Sequence, residues 1–101
     1  MSKVMFVCSA GMSTSLLVEK VIKAAKEREL EMEVYAVGEA EARKDLSQAD
    51  ILLLGPQVRY LENRFKKDLG DSKTKIGVVD MLAYGRMDGE KVLDQILELS
   101  Q

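Results

Sequence analysis

The stretch "FVCSAGMSTSL", residues 6 to 16, joins an apolar run to a helical pattern and contains the only cysteine of the chain. The run before it, "KVMFV" at residues 3 to 7, is bounded by a glycine-bearing segment and predicts a strand buried on both faces. From Met12 to about Glu29, apolar residues recur at helical spacing. Cys8 is therefore expected at the end of a buried strand, directly before a helix.

The rest of the chain repeats this alternation. Strands are predicted at residues 32–37, 51–54 and 75–79, and helices at 40–45, from about Val58 to Leu69, and after an N-cap at Asp88. Only residues 32–37 show the one-sided alternation of an edge strand. Right-handed crossovers then predict an α/β fold, a four-stranded parallel open sheet of order 2-1-3-4 with helices on both faces. Its topological switch point lies at the carboxyl ends of the first and third strands, where Cys8 is expected.

Composition limits the possible functions. The 101 residues make one domain, about half apolar and a third charged, with a net charge of -2. No basic face for nucleic acid, no apolar run long enough to insert in a membrane and no signal peptide is evident, so a cytosolic domain is expected. Without histidine, neither a Ser-His-Asp nor a Cys-His arrangement is possible, and we expect no metal or other cofactor.

The loop after Cys8 has the chemistry of a phosphate cradle. A helix N-terminus presents backbone N–H groups and a partial positive charge, and small residues let the backbone close around an anion. The same field stabilises a thiolate, so Cys8 is expected to be nucleophilic without a histidine. The alternative is a small buried apolar side chain. The predicted phosphate-binding residues are Ser9, Ala10, Gly11, Met12, Ser13, Thr14 and Ser15.

Three further residues are predicted near the switch point, each with an alternative. Gln57 carries amide donors there, or caps its own helix. Asp80 follows the fourth strand and is either a general acid facing the loop or the cap of a turn. Tyr84, before Gly85, either closes over the site or belongs to a simple turn.

The whole chain resembles the enzyme IIB component of a sugar phosphotransferase system of the lactose, cellobiose and diacetylchitobiose class. The resemblance lies in "VMFVCSAGMSTSLL" (4–17), "ADILLLGPQVRY" (49–60) and "AYGRMDGEKVL" (83–93). It implies that Cys8 receives a phosphoryl group from the phosphohistidine of a IIA protein. Cys8 then passes the group to a sugar held by a membrane IIC permease. It favours cellobiose or chitobiose without naming the sugar, and a monomer is the default expectation.

The loop is also similar to that of low-molecular-weight tyrosine phosphatases, in which an arginine stands six residues after the cysteine. Thr14 occupies that place here and cannot make the bidentate contact of an arginine. The alternatives to a phosphocarrier are therefore a phosphatase or thiol reductase on the same fold, kept open by Asp80, and a regulatory binding module without catalysis.

Overall fold

The computed structural model describes residues 2–9, 15–44 and 46–100. The strands are β1 (Ser2–Cys8), β2 (Met32–Gly38), β3 (Ile51–Leu54) and β4 (Lys75–Val78). The α-helices are α1 (Ser15–Glu27), α2 (Glu39–Lys44), α3 (Glu62–Leu69), α4 (Met81–Gly85) and α5 (Gly89–Leu99). Two 3₁₀ segments, Leu46–Gln48 and Pro56–Leu61, lie before and after β3.

The sheet has four parallel strands in the order β2-β1-β3-β4, which confirms the predicted topology. β1 is central, with Val4 level with both Val34 of β2 and Ile51 of β3. Residues 4–8 and 51–54 are all buried, as a strand with helices on both faces requires.

Alternate side chains of β1 enter two separate cores, one on each face of the sheet. Val4 and Phe6 pack on the face that carries α1, α4 and α5. Met5 and Val7 pack on the other face, with α2, the second 3₁₀ segment and α3. The connections that follow β1 and β3 therefore leave to opposite faces, and their carboxyl ends form a topological switch point.

Two local features differ from the sequence predictions. α4, only five residues long, was not predicted and fills what was interpreted as a loop. The helix expected from Val58 onward begins as the 3₁₀ segment and becomes α-helical at Glu62. The remaining predicted strands and helices are present, with ends shifted by a residue or two where the structure describes them; Met12 to Thr14 lie outside the described residues.

α1 and α5 pack closely at Gly89. A Cβ atom at that position would lie 2.6 Å from the carbonyl carbon and oxygen of Lys20, so only glycine fits. Near the end of α1, Arg28 donates hydrogen bonds to Glu90 and Asp94 of α5. The hydrogen bonds from Arg28 to Asp94 and Glu90 raise the pKa of the guanidinium. These contacts fix the helix that follows the Cys8 loop against the last helix.

Candidate functional site

Cys8 is the last residue of β1, and its side chain is fully buried. It is level with Gly38 of β2, and the next residue, Ser9, is exposed. α1 begins at Ser15. The cysteine thus lies between a strand end and a helix N-terminus, the position that the sequence predicted; Ala10 to Thr14 of the predicted cradle lie outside the described residues.

The backbone on the other side of Cys8 belongs to β3 and the segment after it. Val7 is level with Leu54, and the N–H of Gly55 donates to the carbonyl oxygen of Val7 at 2.8 Å. Gly55 is buried and leads directly into the second 3₁₀ segment. The Gly55-Pro56-Gln57 stretch therefore starts beside Cys8, at the switch point.

Gln57 and Tyr84 are brought together by the fold. The side-chain Nε2 of Gln57 donates to the hydroxyl oxygen of Tyr84 at 2.8 Å. The Tyr84 ring is half-buried against the core on the α1 face, whereas Gln57 is exposed. The pairing joins the segment after β3 to the helix after β4. The sequence predicted both residues near the switch point but not the hydrogen bond between them.

Asp80 is the N-cap of α4. Its carboxylate accepts a hydrogen bond from the N–H of Ala83 at 2.9 Å, and its own N–H donates to Oε1 of Gln95 at 3.0 Å. Nε2 of Gln95 in turn donates to the carbonyl oxygen of Val78 at 2.6 Å. In this structure the Asp80 carboxylate engages the start of α4, the arrangement given above as the alternative to a general acid.

The large apolar side chains that are exposed in the described part of the chain all lie on connections that follow the carboxyl end of β1, β3 or β4. They are Leu16 (52% exposed), Tyr60 (69%), Met81 (61%) and Leu82 (62%). We call these four residues the apolar rim. Of these four, the sequence pattern placed Leu16 in the apolar stripe of the first helix, yet its side chain is exposed in the structure; no prediction was made for the other three.

Residues 2–9, 15–44 and 46–100 contain no cluster of three side chains suited to holding a metal ion. In the same ranges no helix is both long and apolar enough to cross a membrane.

Comparison with known proteins places this site in a family. The family model for the lactose/cellobiose-specific IIB subunit of the PTS system matches residues 3–95. The chain belongs to this family. It is accordingly a phosphotransferase component of a sugar phosphotransferase system (PTS) for lactose- or cellobiose-type sugars, and such IIB components work with a IIA component and a membrane IIC component.

Two relatives differ in the sugar that their names give. The chain is 41% identical over 99 residues to the oligo-beta-mannoside-specific EIIB component of Bacillus subtilis (strain 168), covering 98% of this chain and 96% of the relative. It is 40% identical over 91 residues to the cellobiose-specific EIIB component of Lactococcus lactis subsp. lactis (strain IL1403), covering 85% and 84%.

Solved structures confirm the predicted fold of this IIB chain. The lactose-specific IIB domain of Streptococcus pneumoniae superposes with a TM-score of 0.89 at 20% identity, covering 99% of this chain and 98% of that one. A low-molecular-weight tyrosine phosphatase of Bacillus subtilis superposes with a TM-score of 0.60 at 15% identity, covering 96% and 95%. The two classes share an architecture, and a shared fold does not by itself assign a function.

Proposed function

We propose that this IIB chain carries a phosphoryl group on Cys8, between a phosphohistidine of IIA and a sugar held by the IIC permease. The observation that supports this most directly is the location of Cys8. It ends the central strand at the switch point and precedes the helix that begins at Ser15. A helix N-terminus at that point favours both a thiolate and a bound phosphoryl group.

The chemistry consists of two substitutions at phosphorus. The Cys8 thiolate attacks the phosphorus of phosphohistidine, the S–P bond forms and the N–P bond breaks. The leaving imidazole takes up a proton from solvent, which balances the proton that the Cys8 thiol gave up on ionising. A sugar hydroxyl then attacks the phosphorus of the phosphocysteine, the O–P bond forms, the S–P bond breaks to regenerate the Cys8 thiolate, and the hydroxyl proton passes to solvent. Backbone N–H groups from Ser9 to Ser15 are the proposed phosphoryl ligands, and neither step requires a metal or other cofactor.

A carrier has to protect the phosphocysteine from water. Asp80 caps α4 in this structure, so its carboxylate already has a hydrogen-bonded role. Thr14 stands where the phosphatases carry arginine and lacks the charge that stabilises the transition state of hydrolysis.

The partners are proposed to dock on the apolar rim. A contiguous patch of exposed apolar side chains typically marks an interaction surface, and we propose that these four residues contribute to one. Leu16 follows β1, the strand that ends at Cys8, and the other three residues follow β3 or β4. The carboxyl ends of parallel strands lie at one edge of the sheet, so a partner that covers the rim is placed at the edge where Cys8 lies. We propose that phosphorylated IIA and the cytosolic side of IIC use this surface in turn. We propose a β-linked oligosaccharide such as cellobiose or diacetylchitobiose as the sugar; two relatives are named for oligo-beta-mannosides and for cellobiose.

The test is phosphorylation by the cognate phosphorylated IIA protein, followed by intact-mass measurement and ³¹P NMR. The wild-type chain should gain one phosphoryl group, and Cys8→Ser should gain none, because a serine hydroxyl is far less acidic than a thiol in the same field. Circular dichroism of Cys8→Ser serves as the folding control. Full labelling of the serine variant would refute the assignment.

A second measurement locates the phosphoryl ligands. On phosphorylation, the amide NMR signals of Ala10 to Ser15 should shift more than those of residues 32–36 in β2, which lie along the sheet edge. Equal shifts in both regions would argue against a backbone cradle after Cys8, as would loss of transfer when a chelator is added to this protein alone.

A further inference from the structure

The hydrogen bond from Gln57 to Tyr84 crosses the edge of the sheet at which Cys8 lies. Gln57 belongs to the segment after β3, whose Val58 and Leu61 are buried in the core on the α2 and α3 face. Tyr84 belongs to α4 and packs against the core on the α1 and α5 face. The 2.8 Å contact between them therefore links the connections on the two faces across the carboxyl ends of the strands.

A short series of backbone hydrogen bonds connects the segments that carry this link to the end of β1, the strand of Cys8. Gly55, two residues before Gln57, donates to Val7, and Val79, five residues before Tyr84, donates to Leu54. Both donations are 2.8 Å long and continue the sheet pairing past the ends of β3 and β4. The two bridging residues thus emerge from the last paired rungs of the sheet, on the side of Cys8 away from β2.

The direction of the hydrogen bond is also informative. The Gln57 amide can only donate through Nε2, so the Tyr84 oxygen accepts and its O–H proton points away from Gln57. A hydroxyl that accepts a hydrogen bond becomes a better donor itself. The glutamine thereby fixes both the place and the orientation of the tyrosine hydroxyl at this edge.

We propose that Gln57 and Tyr84 are a positioning pair for phosphoryl transfer at Cys8, an inference that rests on the function proposed above. The hydrogen bond fixes the distance between the segment after β3 and the helix after β4, which lie on the β3–β4 side of the proposed phosphoryl site. It thereby holds the phosphorus, the thiolate and the incoming group in line. Neither residue exchanges a proton or a bond with the phosphoryl group in this scheme.

The experiment measures single-turnover transfer from phosphorylated IIA to Cys8 over a range of donor concentrations. Tyr84→Phe keeps the ring and removes the hydroxyl, and Gln57→Ala removes the donor. Each should slow the maximal rate about 10- to 100-fold, the cost of a small misplacement of reacting groups. The donor concentration at half-maximal rate should change less than about twofold, because positioning acts after docking.

A double variant separates a linked pair from two independent residues. Each single variant loses the same hydrogen bond. The double variant, Gln57→Ala with Tyr84→Phe, should therefore transfer no more slowly than the slower of the two single variants. The ³¹P signal of the phosphocysteine should also shift in all three, which loss of thermal stability alone would not cause. Multiplicative losses in the double variant would overturn the proposal.

Matched controls use the same changes away from Cys8. Tyr35→Phe removes a hydroxyl on β2, and Gln48→Ala removes an exposed amide before β3. Both should transfer at the wild-type rate. If Tyr84→Phe and Gln57→Ala do so too while the wild-type chain is labelled on Cys8, the positioning pair is refuted and the carrier function stands. If the wild-type chain is not labelled, both proposals fail.

Discussion

The carboxylate of Asp80 accepts a hydrogen bond from the N–H of Ala83 at 2.9 Å and so caps α4. The backbone N–H of Asp80 is itself held by Gln95, whose amide also reaches Val78. The side chain of Gln95 thus satisfies the N–H of Asp80 and the carbonyl oxygen of Val78, two backbone groups that a neighbouring strand would otherwise bind. The side chains of Asp80 and Gln95 thus hold the turn from β4 into α4 in the unphosphorylated chain.

This arrangement predicts a structural effect at Asp80. Asp80→Asn keeps an oxygen that caps a helix well, so its melting temperature and its transfer rate should stay close to wild type. Asp80→Ala removes the cap and should lower the free energy of unfolding by about 1 kcal/mol. Chemical denaturation and the IIA transfer assay measure the two effects. A large loss of transfer in a stable Asp80→Asn protein would assign the carboxylate a direct part in the chemistry.

The sheet was predictable because its strands are apolar runs bounded by turn residues. β1 and β3 are buried on both faces and read as continuous apolar stretches, while the alternation at residues 32–37 marks an edge. α4 escaped prediction because five residues are too few to show a helical period, and its signal was limited to the capping Asp80. A sequence also does not reveal which apolar residues stay exposed, so the apolar rim required the structure.

The different surroundings of Gly89 and Gly85 predict opposite effects of an alanine substitution on the free energy of unfolding. Gly89→Ala brings a Cβ to 2.6 Å from the Lys20 backbone and forces α1 and α5 apart. Such overpacking should cost about 1–3 kcal/mol in the free energy of unfolding. Gly85→Ala, with no atom within 4 Å of the new Cβ, should stabilise α4 by about 0.5–1 kcal/mol. Urea denaturation compares them, and equal effects would contradict the packing described here.

The apolar rim predicts a loss of docking when a charge is placed on it. Leu82 is mostly exposed, so Leu82→Asp should leave the fold intact. Burying the new carboxylate against a partner should raise the concentration of phosphorylated IIA at half-maximal rate about tenfold, with little change in the maximal rate. Gln48→Asp adds the same charge at an exposed site before β3 and should have no effect. If Leu82→Asp behaves like this control, IIA does not use α4.

The residue at position 14 predicts whether the phosphocysteine is passed on or hydrolysed. A tyrosine phosphatase shares this fold, and the resemblance of the two loops aligns Thr14 with the arginine that those phosphatases carry six residues after the cysteine. A neutral hydroxyl stabilises the equatorial oxygens of the transition state less than a fixed guanidinium fork. Removal of one strong oxyanion donor typically slows a reaction about 10²- to 10³-fold, enough by itself to turn a phosphatase into a carrier.

We therefore expect negligible turnover of an aryl phosphate by the wild-type chain, measured as release of the phenol over many equivalents of protein. Thr14→Arg should shorten the lifetime of phosphorylated Cys8, followed by ³¹P NMR after removal of IIA, because the guanidinium favours attack by water. Thr14→Lys is the matched control, since it adds the charge without the bidentate geometry and should shorten that lifetime less. Many turnovers by the unmodified chain, with Cys8 required, would replace the carrier function with that of a phosphatase.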